Sequence, residues 1–217
     1  AISVFAANQF STNNPYWFCP NPLEYIKVSN VESFFQNLGT TLEDLKHAVD
    51  KLPSVWNLYN TATKSGYHTV GNLFNSESES INLLRKTIEQ EIEKYRSEFS
   101  ENKCGFIQNW PEKINITGWC VSLSKSGHLE SHIHPSGWMS GVFYLQVPKK
   151  IKNKEGYLEF SLHGYNYKIL NNNIPTKLHC PKVGDVALFP SSLFHRTIPF
   201  ESTEDRISIA FDIMPIS

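Results

Sequence analysis

The spacing of apolar residues changes character once along this chain, near residue 105, and that change restricts the fold more than any other feature. Before it, SESESINLLRKTIEQEIEKYRSEF carries Ile81, Leu84, Ile88, Ile92, Tyr95 and Phe99 at intervals of three and four. That is the period of one face of an α-helix, and the Ser and Glu residues ahead of it suit a helix N-terminus. After it, apolar and polar residues alternate through Ile114–Leu123, Trp138–Val147, Tyr157–Leu162, Asp185–Phe189 and Arg206–Ile213. Alternation puts every second side chain on one face of a strand. The turn signals SKSG, NKEG and VGD separate these runs.

Helices first and strands second argue for an α+β protein with antiparallel sheets, not a parallel βαβ arrangement. Several short strands closing on themselves point to a jelly-roll, cupin-like barrel. The predicted organisation is a single domain over 1–217, with a mainly helical support region at 1–104 packed against a β core at 105–217. Two shorter helices are predicted in the support region. Ser29 to Glu32 has capping-box spacing and opens a helix through Leu38, which Gly39 closes. Thr40 to Glu43 is a second box, followed by Leu42, Leu45, Val49 and Leu52 on one face and by Pro53 as a stop. Residues 1–28 read as loops with one strand around Leu23–Val28, and residues 54–75 as irregular.

Composition excludes several classes of function. The net charge of −1 over 217 residues leaves no basic surplus, so neither a nucleic acid nor an anionic membrane is an expected partner. No apolar run approaches the roughly 18 residues of a membrane span. The opening AISVFAANQF has no charged region followed by a long apolar one, as a secretory signal would. It also has no initiator Met, so a trimmed chain or a piece of a longer protein is expected. Cys19, Cys104, Cys120 and Cys180 form no CxxC pair. They read as reduced thiols of a cytoplasmic protein, not as a zinc ribbon or disulfide scaffold.

The chemistry is concentrated in HLESHIHPSGWMSGVFYLQVP, where three of the eight histidines fall within seven positions. His132 and His134 are two apart, so a strand would project both to one face, with Glu130 and His128 on that face too. Pro135 ends regular pairing and sets the pair at a strand mouth. A third donor must come from elsewhere, and His195, in GDVALFPSSLFHRTIPF, opens a later strand segment. Three imidazoles would hold a first-row divalent metal, without choosing among iron, zinc, nickel and copper. His47, His68, His163 and His179 show no such spacing and read as structural or surface residues.

SGHLESHIHPSGWMSGVFYLQVP, GYLEFSLHG and GDVALFPSSLFHRTIPFESTEDRISIAFDIMP together resemble the Fe(II)/2-oxoglutarate-dependent dioxygenase superfamily. The likeness is strongest to the branch of 2OG-Fe(II) oxygenases with an HxHP…H…R pattern, and it covers residues 105–217 better than the first half. The resemblance implies a double-stranded β-helix that binds Fe(II) and takes 2-oxoglutarate as cosubstrate. It implies His132, His134 and His195 as metal ligands; His195 follows His132 by 63 positions (132 to 195). Arg206 lies 11 positions beyond His195 (195 to 206) and, with Ser208, matches the RxS arrangement that grips the far carboxylate of the cosubstrate. A guanidinium stays charged and offers a planar fork that fits a carboxylate. Tyr144 matches a tyrosine that donates to the same carboxylate in prolyl-hydroxylase-like relatives, although a strand tyrosine in GVFYL also reads as core. Trp119 and Trp138 are candidates to line the pocket, with Trp119 read first as a core aromatic.

One departure stands out. The signature of non-heme Fe(II) oxygenases is two histidines and one carboxylate. Here His134 takes the carboxylate's place, with Glu130 or a nearby Asp as the alternative ligand, or a two-His site completed by water.

The implied activity is hydroxylation of an unactivated C–H bond of a small molecule or of a peptide or protein side chain, with release of succinate and CO2. The rival readings are a cupin-type metalloenzyme that does not use 2-oxoglutarate, and a non-catalytic jelly-roll binding module. Arg206 and Ser208 separate the first rival, since such a cupin has no need of a buried arginine there. Substrate entry is expected near the Pro135–Trp138 turn and the loops within 54–75 or 163–180.

Overall fold

A computed structural model describes residues 1–13, 16–37, 41–149 and 153–216. The helical part comprises α1 (Ile2–Gln9), α2 (Glu32–Asn37), α3 (Leu42–Asp50), α4 (Glu79–Glu98) and the short α5 (Gly105–Gln108). Ten strands follow or interleave: β1 (Lys27–Asn30), β2 (Ser54–Trp56), β3 (Thr63–Thr69), β4 (Ile114–His132), β5 (Met139–Gln146), β6 (Leu158–Ser161), β7 (Thr176–His179), β8 (Asp185–Pro190), β9 (Phe194–Thr197) and β10 (Arg206–Pro215).

The five alternating segments are all strands, and the 3.6-period segment is the long helix. Ile81, Leu84, Ile88, Ile92 and Tyr95 of α4 are fully buried. Burying each such side chain contributes roughly 1.5–3 kcal/mol, which is why the stripe determines how α4 lies. The Tyr95 hydroxyl donates to the Tyr25 carbonyl at 2.7 Å, so the one polar atom on the stripe is satisfied.

The strands run in the order β1-β8-β5-β10-β4-β9-β6-β7, and β3 joins β4 with β2 outside it. Every pairing is antiparallel. The sheet curls because β4 is 19 residues long and, besides pairing with β3, serves β10 and β9 in turn along its length. Its first part pairs with β10, from Ile114 opposite Pro215 to Leu123 opposite Arg206. Its last part pairs with β9. This curled antiparallel sheet with helices on one side is the double-stranded β-helix of an α+β protein.

Alternation along β5 and β10 divides the core in two. Phe143, Leu145, Ile207, Ile209, Phe211 and Ile213 join the cluster on the helix side. Val142 and Tyr144 face the other way, into the barrel, with Leu158, Phe160, Ala187 and Phe189. Arg206, Ser208, Ala210 and Asp212 form the inward row of β10, in register with Tyr144, Val142 and Ser140 of β5 at its last three positions.

Several local expectations change. Residues 1–28 hold α1, and the strand there is β1, which starts at Lys27 after a 3-10 turn at Pro22–Tyr25. The capping box of α3 is Thr41 with Asp44, one residue later than read, because Asp44 reaches back to the Thr41 amide at 2.9 Å. Thr40, Leu38 and Gly39 lie outside the described residues. Residues 54–75, read as irregular, contain the β2–β3 hairpin, and β1 also pairs into the sheet, so the first half contributes strands as well as helices. Gly66 lets β3 lie against β4, since a Cβ there would sit 2.7 Å from the Ser122 carbonyl oxygen.

Candidate active site

His132 is the last residue of β4 and stands directly opposite His195 of β9. A chain separation of 63 positions is thereby reduced to a cross-strand pair, with ring centroids 4.3 Å apart. His134 lies just past the strand end. Its amide donates to the Ser191 carbonyl and its carbonyl accepts from Gly137, which closes the HPSG turn. Its ring centroid is 5.1 Å from that of His132 and 5.0 Å from that of His195. The three residues offer ligand nitrogens that all lie within 4.8 Å of one another.

The hydrogen bonds fix which nitrogen each ring offers. His132 Nδ1 donates to the Glu130 carbonyl at 2.7 Å and His195 Nδ1 to the Leu193 carbonyl at 3.1 Å. His134 Nδ1 donates to Asp212 Oδ1 at 2.6 Å. A carbonyl oxygen only accepts, so the proton of each neutral ring is on Nδ1 and the lone pair is on Nε2. Burial first, and the neighbouring His134 second, push the His132 pKa down to about 4. The same causes, with His132 added, hold His195 well below the usual histidine value. Both rings are therefore neutral near pH 7, the form in which imidazole ligates metals.

Glu130 does not join the cluster. Its side chain is exposed and its carboxylate lies 3.4 Å from Lys64 Nζ. The reason is a register shift in β4 between Leu129 and His132. Leu129 faces the pocket, as do Trp119 and Val121 earlier in the strand, and the irregularity then moves the inward face from odd to even positions. Simple alternation counted back from His132 therefore misplaces Glu130. His128 likewise turns away, with Nδ1 3.2 Å from the Ser126 carbonyl oxygen.

Behind the histidines, the barrel narrows onto a polar floor. Arg206 is 2% exposed, Ser208 3% and Tyr144 0%. Arg206 Nη1 donates to Ser208 Oγ at 3.2 Å, and the guanidinium carbon lies 4.9 Å from the centre of the Tyr144 ring. No carboxylate pairs with Arg206 among the described residues. Its Nε is buried without a hydrogen-bond partner there, and the buried Tyr144 hydroxyl faces the Arg206 guanidinium. Burial works against the guanidinium charge and pushes the Tyr144 pKa up to about 12, so the phenol keeps its proton as a donor. Leaving buried donors unpaired costs stability. Donors converging on a pocket that also contains three imidazoles fit an anionic ligand that bridges the two ends.

The mouth above the histidines is a cavity of about 490 Å3, lined by Asn60–Thr63, His68, Trp119, Tyr165 and the His134–Ser136 turn. The loops expected at the entrance are thus in place. Trp119 lines the pocket and also packs, half-buried, against the core cluster of Val121, Leu123 and Phe200. His68 stacks on it at 5.8 Å and 14°, a contact that the spacing of histidines did not reveal. Trp138 instead packs on the helix side, against Phe18 and Phe106. Asp212 also went unread. The signal was present, since it is the next inward residue after Arg206, Ser208 and Ala210.

Residues 117–212, which contain His132, His134, His195, Tyr144, Arg206, Ser208 and Asp212, match the family described as "Putative 2OG-Fe(II) oxygenase". These residues carry the signature of a 2OG-Fe(II) oxygenase. The chain is accordingly an oxidoreductase whose cofactors are Fe(II) and 2-oxoglutarate. No curated protein matches by sequence. Among solved structures, a Pseudomonas putida prolyl-4-hydroxylase is similar with a TM-score of 0.59 at 10% identity, over 99% of this chain and 100% of that one. HygX from Streptomyces hygroscopicus, solved with nickel and 2-oxoglutarate bound, gives 0.57 at 13% identity over 88% and 82%. The α-ketoglutarate-dependent epimerase SnoN from nogalamycin biosynthesis gives 0.60 at 11% identity over 88% and 76%. At such identities the likeness is one of fold.

Proposed function

We propose that this oxygenase hydroxylates an unactivated C–H bond of a small molecule or a peptide side chain. In this reading, His132, His134 and His195 hold Fe(II) through Nε2, and Arg206, Ser208 and Tyr144 hold the far carboxylate of 2-oxoglutarate. The observation that carries it is the buried, carboxylate-free Arg206 on the floor of the pocket that also contains the three histidines. When bound, the iron and its cosubstrate activate O2 with decarboxylation of 2-oxoglutarate to succinate and CO2 and oxidation of the substrate.

The protein's own residues bind, orient and exclude. Arg206 and Ser208 neutralise and orient the dicarboxylate. Phe189 packs against His195 at 4.6 Å between ring centroids and keeps water from that side. Trp119, His68 and Tyr165 give the mouth an aromatic wall, while Asn60, Thr61 and Ser136 supply polar contacts. Proteins of this fold include hydroxylases and an epimerase. Hydroxylation is proposed because it asks the chain only to hold a C–H bond beside the metal.

No helix among the described residues is long and apolar enough to cross a membrane. The four cysteines are free, which suits a reducing compartment, and the near-neutral charge gives no attraction to nucleic acid; we place the protein in the cytoplasm.

The test is succinate release from 2-oxoglutarate across a panel of small molecules and peptides, with 18O2 to follow oxygen into the product. Label in a new hydroxyl is the expected result, and Arg206→Ala should remove turnover. Substrate-dependent succinate without label in the product would overturn hydroxylation. Undiminished 2-oxoglutarate use by Arg206→Ala would overturn the cosubstrate site.

A further inference from the structure

The three histidines are not held alike. His132 and His195 donate through Nδ1 to backbone carbonyls, whereas His134 donates to a carboxylate. Asp212 Oδ1 accepts from His134 Nδ1 at 2.6 Å and from Ser140 Oγ at 2.6 Å. Ser140 Oγ is in turn 2.7 Å from Ser191 Oγ. Both serines are buried, and the His134 and Asp212 side chains are only 12% and 13% exposed. The cross-strand register places Asp212 opposite Ser140, so sheet pairing itself positions the carboxylate. Gly137 leaves the room for it: a Cβ there would lie 2.4 Å from Ser191 Oγ and 3.3 Å from Asp212 Oδ1.

We propose that Asp212 is a positioning residue of the metal site, holding His134 by Nδ1 so that Nε2 faces the metal and placing there the negative charge that the ligand set lacks. This rests on the reading of His134 as a ligand. A set of three neutral imidazoles is one negative charge short of the two-His-one-carboxylate set. A carboxylate bonded to the far nitrogen of a ligand histidine raises that ring's basicity and fixes its tautomer and orientation. The carboxylate has thus moved one group outward, from the metal to the back of His134. Ser140 anchors it there by engaging the second lone pair of Oδ1, and Ser191 in turn holds Ser140.

The test is anaerobic Co(II) titration of the metal-free protein, read by the visible d–d bands, alongside thermal unfolding. Asp212→Asn keeps the shape and an acceptor oxygen but removes the charge. It should weaken Co(II) binding about 10- to 100-fold and shift the d–d bands, with unfolding of the metal-free protein unchanged. Ser140→Ala should weaken binding less. Wild-type affinity and bands in Asp212→Asn would overturn the proposal. Should that variant not fold, 15N NMR of the Zn(II)-loaded wild type decides. The proposal requires a protonated Nδ1 on His134, and ligation through Nδ1 would overturn it. His132→Ala and His195→Ala are the controls. If they keep stoichiometric Co(II), the metal site itself is misread. If they lose it while Asp212→Asn binds normally, only the role of Asp212 fails.

Discussion

One inward row of β10 carries Asp212 at the mouth of the barrel and Arg206 at its floor, and the two ends are built on opposite principles. At the mouth, every Nδ1 of the three histidines has an acceptor, and Asp212 itself takes two hydrogen bonds. At the floor, Arg206 Nε is buried with no partner among the described residues. The mouth is preorganised by the protein, with a carboxylate behind one of the three imidazoles. The floor holds a guanidinium that meets no carboxylate among the described residues. In the proposed function, a cation would bind at one end of the strand and an anion at the other, so one strand's alternation would set the polarity of the site.

This contrast can be broken at either end. The largest effect is expected from His195→Ala, which removes the buried ligand: metal content measured by mass spectrometry should fall from stoichiometric to near zero, and turnover with it. Retained iron would show that the mouth does not depend on the cross-strand pair. Next comes Arg206→Leu. Truncating one partner of a buried charge pair costs about 2–5 kcal/mol, so 2-oxoglutarate affinity by calorimetry should fall at least about 30-fold. Metal affinity should stay, and the ligand-free protein should unfold no earlier than wild type, because an uncompensated buried charge has been removed. Earlier unfolding would mean that the floor is satisfied without its ligand. Tyr144→Phe removes one neutral hydrogen bond, worth about 0.5–1.5 kcal/mol, so cosubstrate affinity should drop by about 2- to 12-fold. The smallest effect is expected from Glu130→Gln. Its carboxylate pairs with Lys64 at the surface, where such pairs contribute about 0–1 kcal/mol, so metal affinity should stay within about twofold. A larger loss would return Glu130 to the ligand set.

How much of this was legible depended on how local each signal was. The stripe of α4 and the five alternating runs were readable because their periods are intrinsic to helix and strand. Residues Thr63–Thr69 were not. TKSGYHT has no apolar alternation, and its strand character comes from pairing with β4. The HxH pair, His195 and the Arg206–Ser208 step could be assembled because each lies on one short strand with a two-residue period. Glu130 was misplaced for the same reason, since the count assumed a regular strand where β4 shifts register. Trp119 was read first as core, and it both packs against a buried cluster and lines the cavity, because alternation says which residues share a face and not what that face meets.

The sequence by itself determined the long helix, the five alternating strands and the antiparallel architecture, and it named candidate side chains for the site, because these follow from periodicity and residue type. Only the tertiary structure decided what those side chains meet. It brought His195 across from His132, left Arg206 without a carboxylate among the described residues, and stood Asp212 behind His134. Each of these depends on cross-strand register and on one irregularity in β4, which are set by contacts between distant segments and not by the pattern within any one of them.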